Sequence, residues 1–395
     1  MSLVPIDGPE ALSDPAAKRE PFPWFAEMRE SDPVRYDPDR NVWDVFTYEH
    51  VQAVLGNDER FSVEVETVVG PDDPLSKSMM FSDPPRHDFL QAAVSDFFQP
   101  SSIDRYESAV REAAAERIER HLPGGSLDVM NDLGYPMAVV TIAELLGIPR
   151  EDHETFLEYA WKALQGRTAD GTSVENPLTY RRELIEFLGD LIDARRERPR
   201  EDLVTRLVEA EVDGRSLTGE DLIGFCEMLM IGGAVPATLL TNAVYSLDQV
   251  DGLASELAGD EAAIERAVEE TLRYRSPTQA VPRLARRDVE VAGREIEAGD
   301  RLVSWIASAN RDPAVFEDPG SFVYDRDQDA HLAFGTGTHF CLGSRVARME
   351  ARVVLSELLD RVDRMAVRTE DAKVDANPII LGFDSLPITF EPASG

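Results

Sequence analysis

The stretch Phe334-Gly335-Thr336-Gly337-Thr338-His339-Phe340-Cys341-Leu342-Gly343 sets one cysteine among three glycines, immediately ahead of a helical pattern that reaches about Val362. Glycine at such positions lets the backbone take positive φ and lie close against a flat ligand. A cysteine at a helix N-terminus meets unpaired N–H groups and the positive end of the helix dipole, and both favour thiolate over thiol. One thiolate backed by N–H donors suits a single axial bond to haem iron. Burial as a small hydrophobe would account for a lone cysteine, but not for the glycine spacing, His339 and the following helix together. Cys226 is the opposite case: it sits mid-helix near Phe225 and Met228 and reads as core packing. These two cysteines are too few for a disulfide framework or a Cys-rich zinc site.

At every defining position the string resembles the cysteine loop of the cytochrome P450 superfamily, Phe-Gly-x-Gly-x-His-x-Cys-x-Gly, and Val346-Ala347-Arg348-Met349-Glu350 is similar to the helix that follows it in that family. The resemblance implies a mainly α fold with small β-sheets, in which haem b lies between a long central helix and the cysteine-loop helix. Cys341 is then the axial iron ligand, with Phe334 and Gly343 contributing to the cofactor site.

Positions far from the cysteine fit the same family. Glu270-Thr271-Leu272-Arg273 matches its Glu-x-x-Arg helix, and the i, i+3 spacing puts both side chains on one face. An exposed pair of this kind would contribute only about 0–1 kcal/mol. The resemblance instead implies a buried brace, with Arg326 of Phe322-x-x-x-Arg326 as its third member and Asn310-Arg311-Asp312 in the meander that follows. Haem carries two propionates, so cations should stand at its edge, where charge-assisted hydrogen bonds are strongest. By resemblance these are His87 in Asp83-Pro84-Pro85-Arg86-His87, Arg283 in Pro282-Arg283-Leu284-Ala285, and His339. The family often has arginine four residues after the motif histidine. Here Gln91 stands there, a neutral amide that can donate but brings no charge.

The central helix departs further. The family usually carries Ala/Gly-Gly-x-Asp/Glu-Thr-Thr there, an acid and an alcohol that relay protons to iron-bound oxygen. This chain reads Gly232-Gly233-Ala234-Val235-Pro236-Ala237-Thr238, with Val235 at the acid position and Pro236 at the alcohol position. Proline has no N–H and its ring clashes with the carbonyl four residues back, that of Gly232, so a kink and a freed carbonyl are expected beside the haem. General acid catalysis typically contributes about 10²–10⁴-fold, so its loss needs compensation. Thr238 lies two positions past the usual alcohol, about 200° around the helix, and is not expected to substitute for it directly. Three accounts stay open: ordered water held by the Gly232 carbonyl, or a substrate hydroxyl, delivers protons; peroxide supplies both electrons and protons; or the protein performs a rearrangement, a dehydration or a sensing role without O–O cleavage. The peroxide-using relatives that share the proline carry an arginine where this chain has Val235, which weakens the second account.

Composition sets the outer bounds. The 395 residues are 43% hydrophobic, enough for a large core, and no low-complexity or repeated segment is evident. Asp and Glu number 75 against 40 Lys and Arg, a formal net charge of −35, which argues against nucleic acid as a partner. Only Lys18, Lys77, Lys162 and Lys373 are lysines. That acidic, lysine-poor balance resembles proteins of salt-accumulating halophiles, where a screening length of about 3 Å at 1 M salt makes self-repulsion tolerable. No unbroken apolar run is long enough to span a bilayer and no secretory signal is apparent, so a cytoplasmic location is expected.

Short β-like pieces such as 41–46 punctuate the first hundred residues. Helical periods follow at 103–121, 126–146, 152–165, 178–197, 201–211, 218–249 and 260–275, then strand-like residues over 281–308. Residues 169–177 read as a loop. No βαβ rhythm and no linker appear, which favours one domain over 1–395. Zinc-protease, nucleophile-elbow and P-loop motifs are missing, and Gly335-x-Gly337 lacks the third glycine of a dinucleotide fingerprint. By resemblance the substrate roof draws on Met79–Phe81, the Val235 region, Thr278–Val281 and Ile380–Gly382, so the substrate is a lipophilic small molecule. No reductase-like segment is fused, so electrons come from an external partner, a ferredoxin, with Arg345 and Arg348 as candidate docking cations; a monomer is expected. The alternatives kept beside a monooxygenase are a peroxide-dependent peroxygenase and a haem-thiolate binding or sensing protein without turnover.

Overall fold

The computed structural model describes residues 4–166, 168, 172–326 and 330–393. Its longer helices are α1 (Phe22–Ser31), α2 (Tyr48–Leu55), α3 (Arg86–Ala92), α4 (Glu107–His121), α5 (Tyr135–Leu146), α6 (His153–Ala160), α7 (Pro177–Glu197), α8 (Leu203–Glu209), α9 (Gly219–Gly232), α10 (Val235–Asp248), α11 (Glu261–Tyr274) and α12 (Ser344–Leu359). Their starts follow local chemistry. Thr218 caps α9 in a reciprocal box: its Oγ1 accepts from Asp221 N (3.2 Å) while Asp221 Oδ2 accepts from Thr218 N (2.8 Å). Asp202 and Asp260 cap α8 and α11 through backbone N–H groups at 2.8 and 3.0 Å. Gly147, at φ +73°, closes α5.

α10 is buried along almost its whole length and packs against α5, α11 and α12, so the second half of the central helical stretch forms the axis of the core. α12 lies between α4 and α11. Beside this helical body stands a five-stranded sheet of β1 (Val34–Asp37), β2 (Val42–Val45), β3 (Phe61–Ser62), β4 (Val281–Ala285) and β5 (Arg301–Ser304), in the order β1-β2-β5-β4-β3. β5 runs parallel to β2, with Leu302 opposite Trp43, and antiparallel to β4, with Leu302 opposite Arg283. Smaller sheets complete the mainly α fold; one pairs Val362–Val367, Pro387–Pro392 and Ser126–Asp128.

Three sequence expectations are corrected. The central helix is not one kinked rod over 218–249 but two helices, α9 and α10, joined at Gly233–Ala234. Pro236 stands in the first turn of α10, the helix position where a missing N–H costs nothing. The helical period over 126–146 resolves into a short strand, a π-helical turn at Val129–Gly134 and α5, because Asp128 accepts from both Met130 N and Asn131 N and restarts the chain. By length and composition the helical stretch Gly219–Asp248 is apolar enough to cross a membrane, against expectation. Most of that stretch is buried inside the protein, as a core helix is. The loop read over 169–177 lies partly outside the described residues, at 169–171.

Candidate active site

Gly335 and Gly337 take φ +71° and +72°, the left-handed region that the loop requires. A Cβ on Gly337 would also stand 3.0 Å from Gly56 Cα, so the loop presses directly on the end of α2. The turn is closed by Cys341 N donating to Phe334 O (2.9 Å) and Ser344 N to Cys341 O (3.3 Å). Cys341 therefore precedes the first residue of α12, open to solvent on one side and densely surrounded on the others. Burial pushes its thiol above the ordinary value, against the Gly343 N–H and the Arg348 charge, which pull it down. The Gly343 N–H acts in the direction that the helix start implies, and an iron bond would favour the thiolate further. Phe334 packs under the Arg348 guanidinium, 4.4 Å from the ring centroid. Arg348 also pairs with Glu269, Nη2–Oε2 3.0 Å. Burial raises the Glu269 carboxyl, but His331 and Arg348 outweigh it and hold it at about 2. Arg348 is therefore already engaged, whereas Arg345 is exposed.

His87, His339 and Arg283 converge from three elements. The two imidazoles lie edge to face with ring centroids 4.4 Å apart. Asp83 sits beneath them, accepting from Val63 N (3.2 Å) and pairing with Arg286, with His339 Nε2 at 3.9 Å. Arg283 projects from β4 and donates through Nη1 to the carbonyl of Pro282 (2.8 Å), its own chain neighbour. Burial drives its pKa down to about 10, with Asp83 only partly restoring it. Burial, then His87 and Arg283, push His339 down to about 4. His339 Nε2 is buried with no hydrogen-bond partner among the described residues. A buried guanidinium and an orphaned imidazole nitrogen are what two propionates would satisfy, so the residues present fit haem. Gln91 is half-buried one turn beyond His87 on α3, on the same helix face.

Next to this edge is a cavity of about 770 Å³. Met80, Phe81, Thr278, Val281 and Ile380 line it, as the resemblance implied, together with Gly232, Val235 and Arg283. Met79 and Leu381 instead join the core, and Gly382 backs onto Thr238, whose Cγ2 a Cβ there would strike. Gly233 and Pro236 do not line the cavity. Gly233 is the point where α9 lies on Ile142, and any side chain there would collide with it. Pro236 has no N–H for the Gly232 carbonyl, and Ala237 N turns to Ala234 O (3.3 Å). Thr238 does line the cavity. Pro236 and Thr238 both belong to α10, so the phase difference of about 200° between them holds: Thr238 is in the cavity lining and Pro236 is not. Arg181 and Glu227 also line the chamber; no local sequence signal marks either.

Behind the cysteine loop, Glu350 of α12 is fully buried, and desolvation pushes its carboxyl up to about 8 while Thr141 only partly opposes this. A carboxyl raised in the fold contributes stability that is present below its ordinary value near 4.5 and lost as pH rises through about 8. Urea midpoints should therefore fall across that window with a limiting slope of about 1.4 kcal/mol per pH unit from this group. Glu350→Gln should lack that component.

Glu270 and Arg273, the pair that the resemblance assigns to a brace, are buried against each other. Arg273 grips Glu270 through Nε–Oε2 (2.8 Å) and Nη2–Oε1 (2.7 Å), and Arg326 Nε lies 3.3 Å from Glu270 Oε1. Arg273 also donates to the carbonyls of Asn310 (3.0 Å), Pro319 (3.1 Å) and Ser321 (3.0 Å).

Comparison with known proteins agrees with this geometry. A family model described as Cytochrome P450 matches residues 263–385. The chain is 36% identical over 397 residues to Cytochrome P450 109 of Bacillus spizizenii, covering 98% of this chain and 95% of that protein. It is 35% identical to the erythromycin C-12 hydroxylase of Saccharopolyspora erythraea, covering 98% of each. The crystal structure of substrate-free CYP109E1 from Bacillus megaterium superposes with a TM-score of 0.89 at 32% identity, covering 95% of this chain and 100% of that one.

Proposed function

The chain belongs to the cytochrome P450 superfamily and is an oxidoreductase of the monooxygenase type, and from that premise we propose that it inserts one oxygen atom from O₂ into a lipophilic small molecule with Cys341 as the axial ligand of haem b. Haem, when bound, supplies the oxygen activation. The residues of the chain hold, orient and enclose. Arg283, His87 and His339 take the propionates, with Gln91 as a neutral donor at the same edge, and Phe334 and Gly343 shape the loop that presents the sulfur. The observation that carries the reading is that Arg283 stands at once beside the paired imidazoles of His87 and His339 and in the wall of the apolar cavity. A substrate held there would lie next to the cofactor and against Met80, Phe81 and Ile380.

Proton delivery runs without an acid–alcohol pair. The Gly232 carbonyl, left without an N–H by Pro236, and the Thr238 hydroxyl are the polar groups on that wall, and they suit an ordered water. On this reading residues 1–395 act as one catalytic domain, a monomer in the cytoplasm, fed by an external ferredoxin. The acidic, arginine-biased surface suits a salt-rich interior. The test is product formation from a lipophilic panel under two regimes, electron donor with O₂ and peroxide alone. Product in the first regime only supports the proposal. Product from peroxide alone moves the protein to a peroxygenase, and ligand-induced spin shifts with no product from either oxidant move it to a sensor.

A further inference from the structure

One end of the chamber carries Arg181 and Glu227. Arg181 on α7 meets Asp73 at 2.9 and 2.7 Å, and on its other side meets Glu227 of α9, Nε–Oε1 2.8 Å and Nη2–Oε2 2.9 Å. The cluster is firmly built. Gly224 has no side chain because the Pro74 carbonyl lies against the helix there, which seats the loop carrying Asp73 directly on α9. Two further ion pairs fasten that loop and the start of α3 to the start of α9: Lys77–Glu220 (3.1 Å) and Arg86–Asp221 (2.6 Å).

Among the described residues the charges at this end do not balance. One guanidinium stands between two carboxylates, and the nearby cations Lys77 and Arg86 are committed to carboxylates of their own. Glu227 is almost fully buried, its side chain 4% exposed. An uncompensated charge in such a place is costly. Burial, reinforced by Asp73 and opposed by Arg181, pushes the Glu227 carboxyl up to about 7, so in the free protein a proton supplies part of the missing positive charge.

We propose that this end of the chamber selects lipophilic ligands bearing an ammonium group, which seats against Glu227 and completes the charge of the Asp73–Arg181–Glu227 cluster. This rests on the monooxygenase reading for the identity of the chamber and adds the class of substrate. A ligand carboxylate would be a third anion around one guanidinium and is disfavoured. Glu227 precedes Gly232 by five residues, an axial rise of about 7.5 Å. The ammonium is thereby held at a distance from the Gly232–Thr238 wall, and the apolar body of the ligand extends toward it.

The test uses three ligands with one tail: dodecyltrimethylammonium, whose quaternary nitrogen cannot bond iron, dodecanoate and dodecanol. Each is titrated into the haem-loaded protein by spin-state shift, and into the same protein by calorimetry. The ammonium should bind at least about tenfold tighter than dodecanoate, close to 1.4 kcal/mol. Glu227→Gln should remove about that factor for the ammonium while leaving dodecanol within about twofold, and Asp73→Asn, which cancels the excess charge from the other side of Arg181, should act in the same direction. Equal or tighter binding of dodecanoate overturns the proposal, as does a variant that weakens dodecanol as much as the ammonium. Absence of the thiolate-haem band in the reduced, CO-treated protein would strike the monooxygenase reading instead, since the calorimetric ranking reads the chamber without the iron.

Discussion

Cys341→Ser is expected to abolish the red-shifted Soret band of the reduced, CO-treated protein and to reduce substrate oxidation to background. The effect is electronic rather than conformational. The loop is held by backbone bonds, Cys341 N to Phe334 O and Ser344 N to Cys341 O, and by glycines at positive φ, none of which uses the sulfur. Far-UV circular dichroism and the urea midpoint should therefore stay close to the parent, while the spectrum changes completely. A serine hydroxyl is a hard, weakly acidic donor. It would not offer haem iron the electron-rich sulfur ligand that a thiolate would. The burial that raises the Cys341 thiol sharpens the contrast, because the same surroundings disfavour a serine alkoxide still more. An unchanged spectrum in this variant would remove the axial role of Cys341.

What the sequence disclosed depended on how locally each feature is encoded. The cysteine loop was legible because its constraints lie within ten residues: positive φ at Gly335 and Gly337, a cysteine, and a helix start. The Glu270–Arg273 pair was legible as a shared helix face, and its burial followed only from the resemblance. The convergence of His87, Arg283 and His339 was legible in the same borrowed way; no spacing rule brings α3, β4 and the cysteine loop together. Pro236 was read correctly as an interruption, but its form was not. A proline in the middle of a helical period can bend one helix or begin another, and the choice fell to the packing of Gly233 on Ile142, a contact between residues far apart in sequence. The phase of Thr238 relative to Pro236 was legible because both lie in α10, but that Thr238 is the one of the two to reach the cavity depended on tertiary structure. Arg181 and Glu227 were invisible because charged residues are abundant in this chain and only tertiary structure sets these two against an apolar cavity.

Arg273→Ala is expected to be the most destabilising single substitution considered. Glu270 would remain buried without its bidentate partner, and removing one member of a buried ion pair costs about 3–5 kcal/mol. The carbonyls of Asn310, Pro319 and Ser321 would also lose their donor, and an unsatisfied buried acceptor costs about 1–3 kcal/mol. Together these approach the whole stability of a typical domain, about 5–15 kcal/mol. The variant should accumulate mostly in the insoluble fraction, and any soluble protein should retain little haem. The link to haem is structural: Asn310, whose carbonyl Arg273 holds, accepts through Oδ1 from Leu332 N (2.7 Å), and Leu332 O accepts from Gly335 N (2.8 Å) at the start of the cysteine loop. Arg273→Lys should recover only part of the loss, because one ammonium cannot reproduce a planar fork that serves a carboxylate and three carbonyls at once. Glu270→Ala should also be severe, since it strands Arg273 and Arg326 and deprives Val323 N of an acceptor at 2.8 Å. The double variant Glu270→Ala/Arg273→Ala should then be less destabilised than the sum of the two, because removing both charges removes the uncompensated one. Strict additivity in urea denaturation would mean that the pair acts as two independent side chains and not as a brace.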